Sequence, residues 1–289
     1  MSSDIRELEA VLRADPDDDG SWRIYGDWLL ANGDPRGELL MLERQATRTP
    51  DRTLDRRIAD LVAHYQSAWE PADKPAQASF DWRHGFIVGV TLDELRDADD
   101  LAWLIRFIDG RTGRFVTGVR LRFHRYSRVS STQLADLQLA HLRHLQVAYR
   151  EHLGDRVIAL LCQCSSLALT ELDLRYSGVT DSGLIQLAGC RSLTGLRALH
   201  LQNNPITNRG VQALVDSPIC ASLELLDLRL DAIGEDGARA LAHSPHLGRL
   251  RTLRIHNSDL DAGGVSALAR SRALSPAIVA YWRAREATS

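Results

Sequence analysis

From Leu169 to Ala269 one pattern of apolar and polar positions recurs four times. The segments LTELDLRYSGVTDSGLIQLA, LRALHLQNNPITNRGVQALV, LELLDLRLDAIGEDGARALA and LRTLRIHNSDLDAGGVSALA align without gaps. Their anchors Leu172, Leu199, Leu226 and Leu253 are 27 residues apart. Leu172/Leu174, Leu199/Leu201, Leu226/Leu228 and Leu253/Ile255 alternate at period two, which places each pair on one face of a short strand. Ser177, Asn204, Asp231 and Ser258 follow, short polar side chains suited to bonding backbone groups where the chain leaves the strand. Val179, Ile206, Ile233 and Leu260 turn inward again. Thr180, Thr207, Gly234 and Asp261 are helix N-cap candidates. Gly183, Gly210, Gly237 and Gly264 permit close backbone approach near the helix start. Leu184/Leu187, Val211/Leu214, Ala238/Leu241 and Val265/Leu268 form an apolar stripe on the helix.

Each unit therefore reads strand, turn, helix. A single unit cannot bury its own apolar face, but stacked units share a continuous core. Upstream the pattern weakens: LRHLQVAYREHLGDRVIALL keeps Leu145, Val147 and Leu160 in column but carries Arg156 at the glycine position. FIVGVTL and FVTGVRLRF read as strands, with a helical LDELRDADDLAWLIRFI between them. About seven parallel strands are expected, with atypical ones at the N-terminal end. The tail PAIVAYWRAREATS predicts a capping helix with Ile278, Tyr281 and Trp282 turned inward.

The first eighty residues change period. SDIRELEAVLRA puts Ile5, Leu8 and Leu12 on one helical face. SWRIYGDWLLANG carries Trp22, Tyr25, Trp28 and Leu29 at spacings of three and four and stops at Asn32-Gly33. DPRGELLMLERQA and TLDRRIADLVAHYQSAW predict two more helices, and EPADKPAQAS a linker. Trp22 and Trp28, at that spacing, are read as core.

These segments carry two resemblances. The 27-residue units, GVTDSGL and PITNRGV above all, resemble leucine-rich repeats of the long ribonuclease-inhibitor-like class, with one helix per repeat. DPDDDGSWRIYGDWLLANGDPRGELLMLE resembles a short bacterial repeat-companion domain: an acidic turn Asp15–Asp19, an aromatic helix with Tyr25 and Asp27-Trp28-Leu29, then Gly33-Asp34-Pro35-Arg36-Gly37-Glu38. That likeness covers residues 5–46 and departs at Gly26, where the family usually has Ala. It implies attachment to a repeat array and carries over no established activity. The expected fold is α/β: a leucine-rich repeat solenoid with a curved parallel sheet over 80–289, including a C-terminal helical cap, preceded by an all-helical companion domain over 1–79.

Composition narrows the functional classes. Apolar residues make up 44% and charged residues 25% of the 289, as in ordinary soluble chains. No apolar run reaches the length of a membrane span, and the acidic N-terminus lacks a signal peptide's features. A cytoplasmic location is expected. Net charge is −3, which demands neither nucleic acid nor acidic lipid. Lys74 is the one lysine among 35 basic residues, an arginine bias typical of GC-rich bacterial genomes. Cys162, Cys164, Cys190 and Cys220 lack zinc spacing and are read as free thiols.

Asp15, Asp17 and Asp19 before Gly20 begin a calcium-loop signature. The bidentate Glu it requires at position twelve is Gly26, and Pro16 is awkward inside such a loop. A capped helix–helix turn accounts for the acids better, so no metal and no cofactor are implied. There is no G-x-S-x-G, H-E-x-x-H or phosphate-binding glycine loop, and no catalytic residue or small-molecule substrate is assigned.

The candidate site is the set of strand positions alternating with the anchor leucines. One column reads Gln146, Asp173, His200, Asp227 and Arg254. The next reads Ala148, Arg175, Gln202, Arg229 and His256, while Arg120, Arg122 and His124 alternate on an earlier strand. A solenoid's concave face is its usual binding surface, and arginine suits carboxylates. The expected function is a non-enzymatic interaction module or scaffold that binds a protein with acidic groups there. The alternative is a substrate-recognition adaptor whose helical domain docks a larger enzyme or complex. RTGRFVTGVRLRFHRYSR interleaves arginines with aromatics in the manner of a nucleic-acid site. Phe115 and Phe123 are expected inside, however, and a protein partner is preferred over nucleic acid.

Overall fold

The computed structural model describes residues 2–49, 51–137, 139–148 and 153–287. The chain divides into two compact units, Met1–Thr91 with Ala102–Gly118, and Leu92–Leu101 with Val119–Ser289.

The first unit opens with α1 (Ser2–Ala14), α2 (Asp19–Ala31), α3 (Pro35–Arg48) and α4 (Arg52–Trp69). Asp18, Asp34 and Asp51 cap the last three, each carboxylate accepting from backbone N–H groups of the first turn. The segment expected as a linker runs into a strand, β1 (Ala78–Arg83), joined to β2 (Phe86–Leu95) through His84 and Gly85. Both turn residues have positive φ, +54° and +73°, as a two-residue hairpin turn requires. α5 (Ala98–Asp109) follows; the end of β2 and the start of α5, Leu92–Leu101, belong to the second unit. Leu12, Trp22, Tyr25, Leu29, Leu40, Phe86 and Phe115 form the core, with Ile5, Leu8 and Trp28 packed against it. The Tyr25 hydroxyl donates to Glu9 Oε1 at 2.7 Å and accepts from Arg114 Nη2 at 3.0 Å. Burial, with Glu9 beside it, pushes its pKa up to about 12.

The last five residues of the G-D-P-R-G-E string each have a structural role. Asp34 caps α3 and Pro35 occupies its first turn. Arg36 Nε donates to Gly85 O at 2.8 Å, and its guanidinium lies 5.1 Å from the Trp69 ring and 4.8 Å from the Phe86 ring. Gly37 lets α2 and α3 touch: a Cβ there would sit 2.6 Å from Leu30 N and 2.8 Å from Gly26 O. Glu38 Oε1 accepts from Arg57 Nη2 of α4 at 2.6 Å. At Gly26 the nearest atom to an added Cβ is Leu40 Cδ1 at 3.4 Å, so the alanine usual in the resembling family nearly fits.

The acids of the opening turn are engaged too. Asp18 Oδ1 accepts from Gly20 N at 2.9 Å and its Oδ2 from Ser21 Oγ at 2.6 Å, while Asp17 pairs with Arg83 at 2.7 Å. The Ser21 hydroxyl and backbone bonds hold Asp18 below the ordinary carboxylate range.

The second unit is the repeat array. It comprises β3 (Gly118–Phe123), α6 (Ser131–Leu134), β4 (His144–Ala148), α7 (Gly154–Gln163), β5 (Glu171–Asp173), α8 (Asp181–Ala188), β6 (Ala198–His200), α9 (Asn208–Val215), β7 (Leu225–Asp227), α10 (Gly234–His243), β8 (Thr252–Arg254), α11 (Ala262–Ala269) and α12 (Pro276–Glu286). Strand order follows the chain, and β4 to β8 pair parallel with a constant step of 27 residues. Leu172, Leu174, Leu199, Leu201, Leu226 and Leu228 are fully buried. Together with the helical region this is the α/β repeat solenoid the periodicity predicts, with eight strands rather than about seven because Phe80–Arg83, just past the expected linker, was assigned no strand.

Two polar ladders fix the repeat spacing. Asn204 Oδ1 accepts from Ser177 N at 3.1 Å and Val179 N at 2.9 Å, and its Nδ2 donates to Leu174 O at 2.9 Å and to Leu201 O. Asp231 Oδ1 in turn accepts from Asn204 N at 2.7 Å. On the helix side, Asp155 accepts from Thr180 N and Oγ1 at 2.8 and 2.6 Å, and Asp181 does the same for Thr207. This second ladder requires two glycines of the column. A Cβ on Gly183 would lie 2.0 Å from Asp155 Oδ1, and one on Gly210 would lie 2.5 Å from Asp181 Oδ1.

Three local expectations fail. Asp259, not Ser258, takes the last ladder position, its Oδ2 accepting from Leu230 N at 2.8 Å. Gly234 begins α10 at φ +61° after Ile233 and is not the cap. Tyr281 is exposed, with Arg285 over its ring; Ile278, Val279 and Trp282 form the buried stripe, so the buried face is turned toward Val279 rather than Tyr281.

Candidate functional site

The parallel register brings one expected column together. Gln146 pairs with Asp173, Asp173 with His200, His200 with Asp227, and Asp227 with Arg254, on successive strands. Side chains alternate along a strand, so these residues lie on the face opposite the anchor leucines.

The face is layered by charge. Arg175 forks onto Asp173, Nε to Oδ1 at 2.9 Å and Nη2 to Oδ2 at 2.6 Å. Arg229 repeats the fork on Asp227 at 2.8 and 2.6 Å. Arg254 Nη1 approaches the same Asp227 at 3.6 Å. The carboxylates lie underneath, with the Asp173 and Asp227 side chains 7% and 0% exposed, against 32%, 37% and 46% for Arg175, Arg229 and Arg254. Gln202 Oε1 accepts from Arg229 Nη2 at 3.2 Å. Gln146, also buried, donates to Asp173 Oδ2 at 2.6 Å, and its Oε1 has no partner among the described residues.

His200 sits among acids. Its Nε2 is 3.5 Å from Glu171 Oε1, and its Nδ1 is 4.0 Å from Asp227 Oδ2. Asp227 and Glu171 raise its pKa to about 9 against the effect of burial, so the imidazolium persists at neutral pH. Burial alone would raise Asp227, but His200 and Arg229 outweigh it and hold the acid well below the usual carboxylate range. His200 likewise lowers Glu171.

The remaining candidates are spread along the same unit. Arg122 Nη1 pairs with Asp93 at 3.0 Å, and His124 Nε2 lies 3.5 Å from Glu94. Arg120 and Arg122 line a recess of about 280 Å³ with His144, Gln146, Glu171, Asp173 and Arg175. His256 is exposed at the other end, its Nδ1 2.7 Å from Ser258 Oγ. Sequence reasoning missed Glu171 and His144. Both lie two residues before a column member, so strand alternation alone places them on this face. Among the described residues no cluster of His, Cys, Asp or Glu has the arrangement of a metal site, and the four cysteines are free thiols.

The leucine-rich repeat family model matches residues 166–188 and 192–215, the first two of the four aligned units. These two segments thus have the leucine-rich repeat pattern, and the parallel sheet extends the same 27-residue step on either side of them. No curated protein matches the sequence. Among solved structures, Leiomodin-1 Actin-Binding Site 2 (ABS2) is similar over 49% of this chain and 82% of that one, at 14% identity and a TM-score of 0.32. At that level of superposition the likeness carries no argument about binding. No helix among the described residues is long and apolar enough to cross a membrane.

Proposed function

We propose that this chain is a non-enzymatic interaction module whose repeat sheet binds a protein partner through acidic groups. The observation that carries the reading is the layered face. Buried Asp173 and Asp227 hold Arg175 and Arg229 in bidentate forks, so the outer layer is cationic and held in place. A guanidinium fixed before binding loses less side-chain entropy on meeting a carboxylate. Protonated His200 adds to the same potential. The test is a cross-linked pull-down comparing wild type with Arg175→Glu plus Arg229→Glu. Recovery of the same proteins by both refutes the sheet face as the binding surface.

A further inference from the structure

A second surface lies wholly within the helical unit, and its arginines differ from those of the sheet. A groove of about 430 Å³ runs between α2 and α3. Its floor is shallow in side chains because Gly26 and Gly37 face each other where the helices touch. Leu30 and Met41 stand on its walls, 44% and 48% exposed. Arg23, Arg44 and Arg48 line its rim. No ion pair or hydrogen bond engages these three side chains among the described residues, whereas Arg175 and Arg229 are each forked onto an acid. Asp27 is the one carboxylate in the lining.

The geometry points to this groove as a docking site for an acidic amphipathic helix of a partner protein. The charge is complementary: unpaired arginines flank an apolar floor, and acids on the flanks of an apolar stripe would meet them. The length also fits. Gly37 to Arg48 spans roughly 16 Å at about 1.5 Å per residue, about three helical turns. Exposed methionine suits such a contact because its unbranched, polarisable side chain adapts to the incoming surface. With one docking site in each unit, the chain would act as an adaptor. This groove shares no residue with the sheet face, so each proposal can fail alone.

The probe is a fluorescein-labelled peptide of about 14 residues, with Leu at helical spacing and Glu elsewhere, titrated into the full chain by fluorescence anisotropy. A matching Leu/Lys peptide and a single-stranded oligodeoxynucleotide of similar length serve as comparisons. The Leu/Glu peptide is expected to bind and the Leu/Lys peptide not. Arg44→Glu plus Arg48→Glu, and separately Met41→Glu, should each weaken binding at least about tenfold. Arg175→Glu plus Arg229→Glu should leave it unchanged. The substituted groove residues, Met41, Arg44 and Arg48, are not buried, and circular dichroism of each variant confirms folding. The proposal is overturned if the peptide does not bind, if it binds equally well to both groove variants, or if the oligonucleotide displaces it at equal concentration.

Discussion

Asp231→Asn should stabilise the repeat array, and increasingly so as pH rises. Asp231 occupies the ladder position that Asn204 holds one repeat earlier, and is 3% exposed. Asn204 there both accepts and donates; its Nδ2 bonds carbonyls of its own and the preceding repeat. The Asp231 carboxyl accepts from Asn204 N through Oδ1, but Oδ2 is buried without a partner among the described residues. Burial pushes its pKa up to about 8, against the Asn204 bond, with Asp259 and Asp227 adding to the rise. Below an unfolded value near 3.8 both states carry the proton and the favourable contribution is complete. As pH rises toward 8 the unfolded chain releases the proton while the folded chain keeps it, and stability is progressively lost. At about 1.4 kcal/mol per pH unit the loss is bounded near 6 kcal/mol. The cost of about 1–3 kcal/mol measured for buried polar groups without partners is the better guide, since the surroundings relax. Asparagine removes the titration, keeps the acceptor and supplies the missing donor. A gain of about 2 kcal/mol at pH 8.5, or roughly 4–8 °C in Tm for a chain of this size, is expected by differential scanning calorimetry. The gain should shrink toward pH 4. An unchanged or lower Tm at pH 8.5, or a gain that does not vary between pH 5 and 8.5, refutes the reasoning.

The same ladders give further outcomes. Gly210→Ala in α9 should destabilise by about 1–3 kcal/mol in urea titrations, opposite in sign to the usual helix effect, because its Cβ collides with Asp181 Oδ1. Asp181→Ala should cost about 1–2 kcal/mol by the same assay, since Thr207 N and Oγ1 lose their acceptor. Arg36→Lys should cost the helical unit about 1–2 kcal/mol despite keeping the charge, because an ammonium cannot both reach Gly85 O and lie flat on Trp69 and Phe86. Asp18→Ala should lower the melting temperature, while added calcium should leave that of the wild type unchanged. A calcium-dependent rise would restore the metal-loop reading of the acidic turn.

Periodicity carried much of the fold because its columns are local. Leucines alternating at two and stripes at three and four show where strands and helices lie, and a repeat of constant length leaves parallel stacking as the way to bury them. The register Gln146–Asp173–His200–Asp227–Arg254 follows from that constant step. β1 was hidden because ASFDWR follows a proline-rich stretch and its alternation is short. The shift from Ser258 to Asp259 was hidden because both are short polar residues, and only the bond to Leu230 N distinguishes them.

The chain's order of residues thus decided the repeat, its helices, its strands apart from β1, three of its four repeat-helix caps, and which residues share the sheet face. Three-dimensional packing decided what those residues do there. Depth is not a property of a column: Asp227 and Arg254 are neighbours in one column, yet the acid is enclosed and the arginine is half-exposed. The sheet's arginines are held in place by carboxylates beneath them, while Arg23, Arg44 and Arg48 of the α2–α3 groove, inconspicuous in the sequence, have no such partners among the described residues. The physical reason is that pairing energy depends on distances across strands and helices, and these exist only once the chain has closed around its core.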